Sequence, residues 1–274
     1  MEPEVWVYDL SGGSQIRLLT EEGSNRHPIW TPDGERVTYA SDRDGTWGIY
    51  WQRADGTGAA ERLVGADTRT EYYPESWSPD GRTLLFSIRS GADWDLWTLS
   101  LDNDGEAEKF YDAPRLQFSG DFSASGRWIA YLDDQAGVPA LYVQPFPPTG
   151  ERHRITAGAM PMWSRDGREL FYRTEIQNIA AAVGAADRGS GVRLWAIDMS
   201  LDPAPRWTNA RALPIEGFTA FNAYRDYDIM PDGERFGMVF PSDQPESPAE
   251  GPSRDQINVV LNWTEELKRL VPVP

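Results

Sequence analysis

Between Arg26 and Val64 the apolar residues gather in four short stretches: His27-Pro28-Ile29-Trp30, Arg36-Val37-Thr38-Tyr39-Ala40, Gly48-Ile49-Tyr50-Trp51 and Ala60-Glu61-Arg62-Leu63-Val64. Each is rich in β-branched and aromatic residues and is bounded by Gly, Pro, Asp or Asn, which predicts four strands. The order recurs in Glu75-Ser76-Trp77, Thr83-Leu84-Leu85-Phe86-Ser87, Asp95-Leu96-Trp97-Thr98-Leu99 and Glu108-Lys109-Phe110-Tyr111, and a third time from Gly120 to Thr156. Between the first and second stretch of each unit lies a tetrapeptide: Thr31-Pro32-Asp33-Gly34, Ser78-Pro79-Asp80-Gly81, Ser123-Ala124-Ser125-Gly126, Ser164-Arg165-Asp166-Gly167 and Met230-Pro231-Asp232-Gly233. Pro presets one central angle of a tight turn, Asp bonds its own backbone and Gly takes a positive φ, so the tetrapeptide joins two antiparallel strands.

The turn glycines Gly34, Gly81, Gly126, Gly167 and Gly233 are 47, 45, 41 and 66 residues apart. The first three steps are those of a four-stranded propeller blade. The long step holds an insertion, 175–191, that reads as a loop with an Ala run able to form a short helix. Val5-Trp6-Val7-Tyr8 and Ile16-Arg17-Leu18-Leu19 read as the third and fourth strands of a unit without its first two. The expected organisation is one all-β propeller: a partial blade 1–20, blades 21–65, 66–112, 113–158 and 159–217, a last blade 218–263, and a C-terminal helix and tail 264–274. This is a six-bladed type with an incomplete first blade; if Ile16 to Leu19 instead supply the outer strand of the last blade, the ring has five.

Aromatics stand in register with the turn. Trp30, Trp77, Phe122 and Trp163, with Ile229 in the fifth copy, precede it directly, and Trp6, Tyr50, Trp97, Tyr142 and Trp195 mark successive third strands. One large side chain per blade at a fixed place predicts packing between neighbouring sheets.

Composition changes this picture little. The 43 acidic against 26 basic residues give a formal charge of -17, which argues against nucleic acid or an anionic membrane as partner. With no cysteine, disulfides, thiolate metal sites and cysteine nucleophiles are excluded. No apolar run reaches the roughly 20 residues of a membrane helix, so no direct membrane insertion is expected.

With these residues in view, the chain resembles the TolB-type, WD-repeat-like propellers whose blades carry a Ser-Pro-Asp-Gly turn. Ser41-Asp42-Arg43-Asp44-Gly45, Leu141 to Pro147, Trp163 to Arg173 and the ending Asn258 to Leu270 are similar to the propeller found C-terminal to bacterial serine/threonine protein kinase domains. That resemblance implies a sensing or protein-interaction module without catalytic residues, placed outside the cytoplasm or in the periplasm. The chain carries neither the glycine-rich phosphate loop nor the His-Arg-Asp loop of a kinase. It therefore reads as a portion of a larger protein, whose open first blade offers an edge for dimerisation.

Candidate chemistry is sparse. The two histidines, His27 and His153, are not accompanied by a Gly-x-Ser-x-Gly elbow, so a Ser-His-Asp hydrolase is not expected. Arg26, His27, Arg69, Arg115 and Arg225 lie at or before the starts of inner strands and are the candidates for binding a protein or small-molecule ligand at the channel mouth. Glu75, Asp121 and Asp228 are the candidates for a metal site; as oxygen donors they would take calcium or magnesium, in a metal-assisted lyase or hydrolase. The main expectation is a binding module without cofactor. Asp42-Arg43-Asp44-Gly45 and Asp102-Asn103-Asp104-Gly105 lack the rest of a calcium loop and are expected to be hairpin turns.

Overall fold

The structure is a computed structural model, and it describes residues 3–8, 16–18, 22–65, 70–102, 105–111, 116–134, 139–174, 192–215, 217–218, 225–230, 232–240 and 256–260. The inserted segment 175–191 and the expected helix 264–270 lie outside them. The strands follow the segments read from the sequence. A two-stranded sheet, β1 (Trp6–Tyr8) and β2 (Ile16–Leu18), comes first. The first four-stranded sheet is β3 (Asn25–Trp30), β4 (Arg36–Ser41), β5 (Gly48–Arg53) and β6 (Glu61–Val64). The second is β7 (Thr70–Trp77), β8 (Thr83–Ser90), β9 (Asp93–Ser100) and β10 (Ala107–Lys109). The third is β11 (Gln117–Phe122), β12 (Trp128–Asp133), β13 (Ala140–Pro145) and β14 (His153–Ala157). The fourth is β15 (Ala159–Trp163), β16 (Glu169–Thr174), β17 (Arg193–Ser200) and β18 (Arg206–Ala212). A three-stranded sheet, β19 (Tyr227–Ile229), β20 (Phe236–Phe240) and β21 (Gln256–Val260), ends the series. Within these sheets the described strands pair antiparallel with their neighbours in sequence, as in a meander blade, and an isolated parallel bridge joins Trp94 to Leu116.

The chain divides into two compact units, 1–138 with 143–152 and 139–142 with 153–274. In the first unit, burial is greatest in the second strand of each sheet and fades outward. Leu84, Leu85 and Phe86 of β8 are fully buried, whereas Glu108 and Lys109 of β10 are exposed. A strand with sheets packed on both faces has no solvent side, so it carries a continuous apolar run in place of alternation. The core between the first two four-stranded sheets joins Ile49, Tyr72, Trp77, Leu84, Phe86 and Leu99, with Trp51 at its edge. Gly120 on β11 permits the third sheet to close on the second: a Cβ there would stand 2.4 Å from Leu85 Cδ2.

The turns work as their composition predicts, with one addition. The Thr31 hydroxyl donates to Asp33 Oδ1 at 2.6 Å and accepts the Arg36 N–H at 3.0 Å, while Asp33 Oδ1 also accepts the Glu35 N–H at 2.9 Å. Ser78 with Asp80 and Ser164 with Asp166 repeat this relay. The hydroxyl that opens the tetrapeptide thus closes the turn from both sides. These bonds favour the ionised carboxylate: the Thr31 hydroxyl first, then the Glu35 N–H, hold Asp33 below the ordinary carboxylate range.

Successive turns also touch. Pro32 Cδ lies 3.9 Å from where a Cβ on Gly81 would be, and Pro79 Cδ lies 3.3 Å from the corresponding point on Gly126. Gly34 has the same left-handed backbone (φ 70° against 69° at Gly126) but nothing within 4 Å. Gly34→Ala should therefore show only the backbone penalty, about 1–2 kcal/mol. Gly126→Ala should cost more, because Pro79 must also give way. Urea melts of the two variants check the order.

Two of the register aromatics depart from the expected packing. Trp77, Phe122, Trp163 and Ile229 are buried, but Trp30 is 50% and Trp6 53% exposed. The register says which face a side chain takes and not whether a complete sheet stands opposite. Among the described residues β1 and β2 pair only with each other.

Candidate functional site

The inner strands of both units are irregular at one recurring place. Four residues before each turn hydroxyl, or before Met230 in the last copy, stand His27, Pro74, Ser119, Met160 and Asp226. The pairing of the first two strands shifts there: between Arg26 and Ile29, Pro74 and Ser76, Phe118 and Asp121, and Ala159 and Met162. His27, Ser119 and Met160 have positive φ, at 54°, 58° and 55°. A bulge with a left-handed non-glycine residue re-aims the side chains around it, and such strain persists only where neighbours enforce it.

In the first unit the bulges sit under an aromatic ladder. The His27 ring lies 5.0 Å from Tyr73, Tyr73 lies 4.6 Å from Trp94, and Trp94 lies 4.9 Å from Phe118. Three successive sheets are thereby stitched by side-chain stacking. Burial, aided by the Arg26 charge, lowers the His27 imidazole from 6.5 to about 4, so it is neutral at physiological pH. Arg26 itself is exposed, its guanidinium 4.8 Å from the centre of the Trp47 ring. Below the ladder the Tyr73 hydroxyl donates to Glu71 at 2.6 Å, and Arg89 pairs with the same carboxylate at 3.1 Å.

Of the other expected binding residues, Arg69 and Arg115 lie outside the described residues. Arg225 belongs to the second unit, where it is half-buried and reaches the Pro161 carbonyl at 3.5 Å. A cationic ring is therefore not assembled from the described residues.

The metal candidates take different positions. Glu75 is engaged structurally: its Oε1 accepts the Ser87 hydroxyl at 2.6 Å and the Ser119 N–H at 3.0 Å, tying β7 and β8 to β11. Asp121 is half-buried on β11, at a strand position offset by one from that of Glu75 relative to the turn, and side chains alternate faces along a strand. Asp228, in the second unit, is exposed, and its Oδ1 accepts the Ile229 N–H at 2.7 Å. Among the described residues no group of three or more His, Asp or Glu is placed to hold a metal ion. The Asp42 to Gly45 segment is a turn closed by Gly45 N–H to the Asp42 carbonyl at 2.7 Å. Its carboxylates are used locally, Asp42 by the Ser24 N–H and Asp44 by the Tyr50 hydroxyl. The 102–105 segment is only partly within the described residues. His153 meets the edge of Trp207 at 6.4 Å.

The sequence reading missed the polar links between sheets. In the second unit the Arg173 guanidinium, on β16, bonds Asp226 just ahead of β19; the pair is fully buried. In the first unit Arg152 pairs with Asp133 at 2.5 Å, bonds the Tyr111 hydroxyl and lies 4.3 Å over that ring. A signal was present. Ser87 and Arg173 both stand nine residues after a turn serine, and their links run to Ser119 and Asp226, both at the bulge position. A polar residue at a place that should be apolar is the mark of such a link.

No family model and no curated protein matches the chain in sequence. Solved structures do match in shape. TolB of Acinetobacter baumannii is 18% identical with a TM-score of 0.65, over 85% of this chain and 53% of that one. A protein of Agrobacterium tumefaciens described as TolB is 19% identical with a TM-score of 0.66, over 81% of this chain and 76% of that one. A puromycin-hydrolyzing peptidase of Mycobacterium tuberculosis also matches, at 14% identity and a TM-score of 0.55, over 90% of this chain and 39% of that one. The chain thus spans about half of the Acinetobacter protein. Four-stranded antiparallel sheets, each with its hydroxyl-opened turn, and these matches together give the chain the fold of a TolB-like β-propeller.

Proposed function

We propose that the chain is a non-catalytic module that binds a protein or small-molecule ligand at the starts of its inner strands and needs no metal cofactor. The observation that carries this reading is the pairing of an exposed Arg26, set over Trp47, with the neutral His27 at the head of a stacked aromatic ladder. A cation held on an aromatic face with an apolar wall beside it is a recognition surface; without a nucleophile it performs no chemistry. In its finer form the module senses a ligand outside the cytoplasm for a serine/threonine kinase domain on the same polypeptide. That form draws support from the Leu141 to Pro147 and Trp163 to Arg173 segments. The net charge of -17 speaks against nucleic acid as the partner.

Site-specific photocrosslinking tests it. A benzophenone side chain placed at Arg26 should capture a partner in cells, and one at the exposed Glu108 on β10 should not. Equal capture at both, or none at Arg26, would remove the reading.

A further inference from the structure

A cleft of about 470 Å³ opens between the turns of the first two four-stranded sheets, at the opposite end of β3 from Arg26 and His27. Its lining lies wholly within the first unit, and its volume is that of a small-molecule site. The apolar part is made by the rings of Pro32 and Pro79, by Trp51 and by Leu101, which is 37% exposed. Trp51 is held in place by Trp77, stacked at 5.9 Å, and by the Arg36 guanidinium, 4.1 Å from its ring centre. The charge comes from Asp33 and Asp80, the same residue of successive turns. In each, Oδ1 is taken by the turn: it accepts the Thr31 hydroxyl and the Glu35 N–H in one, and the Ser78 hydroxyl and the Arg82 N–H in the other. Among the described residues Oδ2 of neither accepts a hydrogen bond. The turn hydroxyls hold both carboxylates below the ordinary range, so both are ionised at neutral pH.

We infer that this cleft binds an aliphatic diamine, with one ammonium group on Oδ2 of Asp33, the other on Oδ2 of Asp80, and the methylene chain along Pro32, Pro79 and Leu101. Two anions beside an apolar surface are complemented by a chain that carries a cation at each end. The anions are held in advance, because each carboxylate is fixed by its own turn and the two turns meet where Pro32 approaches Gly81. An anionic ligand fits poorly, since Arg36, the cation of the lining, lies on Trp51 and pairs with Glu61 at 3.7 Å. A metal ion fits poorly too, since among the described residues no group of three or more His, Asp or Glu is placed to hold one. The cleft shares no residue with the Arg26 and His27 surface, so this inference is independent of the reading of that surface.

Titration calorimetry of the full chain with 1,5-diaminopentane tests it. Saturable one-to-one binding is expected, with 1-aminopentane weaker by roughly tenfold or more, the worth of one charge-assisted hydrogen bond. The double variant Asp33→Asn with Asp80→Asn should weaken the diamine by at least as much. An amide oxygen still accepts the two donors of each turn, and an unchanged melting temperature separates lost binding from lost folding. Leu101→Ser, at an exposed position, should weaken binding severalfold and keeps the test open if the double variant melts early. Asp166→Asn makes the same change in a turn outside the cleft and should bind as the parent does, which separates the site from the general pull of a chain of charge -17 on any cation. Equal binding by the double variant, unchanged binding by Leu101→Ser, or an equal loss in Asp166→Asn overturns the inference. Heats that calcium chloride reproduces with the same dependence on Asp33 and Asp80 overturn it as well, by making the site one for a metal ion.

Discussion

Asp226→Ala should destabilise the second unit by about 3–5 kcal/mol, the usual result of removing one partner of a buried ion pair. Among the described residues Arg173 is the largest fully buried side chain, and Asp226 is its carboxylate partner. With the carboxylate gone, a guanidinium that cannot lose its proton stays in an apolar interior. The loss should appear as a clear fall in the urea midpoint with little change in the slope of the transition. The double variant Arg173→Met with Asp226→Leu should recover most or all of it, because the pair's own desolvation cost vanishes with the pair. A single Asp226→Ala variant as stable as the parent would show that the pair is not buried as described.

The second large effect is a pH dependence set by His27. Its imidazole titrates near 4 in the folded chain and near 6.5 in an unfolded one. Above pH 6.5 the group is neutral in both states and contributes no pH dependence. As pH falls from 6.5 toward 4 the unfolded chain takes up a proton that the folded chain refuses, so stability declines across that window and levels off below it. At about 1.4 kcal/mol per pH unit the total approaches ~3 kcal/mol. Asn tolerates the left-handed backbone that His27 adopts, so His27→Asn is the control. Chemical melts at pH 7, 5.5 and 4.5 should show the parent losing stability faster than the variant. Parallel losses would overturn the assignment. The turn carboxylates act in a separate window. The Ser78 hydroxyl, like Thr31 at Asp33, holds Asp80 below the ordinary range, so what these groups contribute persists above about pH 4 and is lost only as pH falls further.

Much of the architecture was legible in the sequence because its cues are local. Thr31-Pro32-Asp33-Gly34 specifies a turn within four residues, and its recurrence marks each blade whatever lies around it. The links between blades are of another kind. Trp77 finds Thr38 across 39 residues, Glu75 finds Ser119 across 44, and Arg173 finds Asp226 across 53. Nothing in the flanking sequence of Glu75 distinguishes a strut from a metal ligand; only the neighbouring sheet decides it. His27 was legible as a special residue but not its state, which follows from Tyr73 above it and Arg26 beside it. The exposure of Trp30 was hidden for a related reason, since register describes a position within a blade and not what stands before that blade.

The contact of Pro32 with Gly81, and of Pro79 with Gly126, has a consequence for how such a chain can lengthen. Every tetrapeptide of the Ser/Thr-Pro-Asp-Gly form carries both halves of a joint, a ring that reaches toward the following turn and a bare backbone that receives the ring of the preceding one. A duplicated coding segment therefore arrives already able to couple on both sides, without a matching change in its neighbours. Where Arg165 replaces the proline, its Cβ and Cγ lie 3.7 Å from where a Cβ on Gly233 would be, and its guanidinium bonds the Ile229 carbonyl at 3.0 Å. The joint tolerates drift in the reaching half, while the receiving half stays glycine because its backbone is left-handed, with φ 71° at Gly81 and 72° at Gly233.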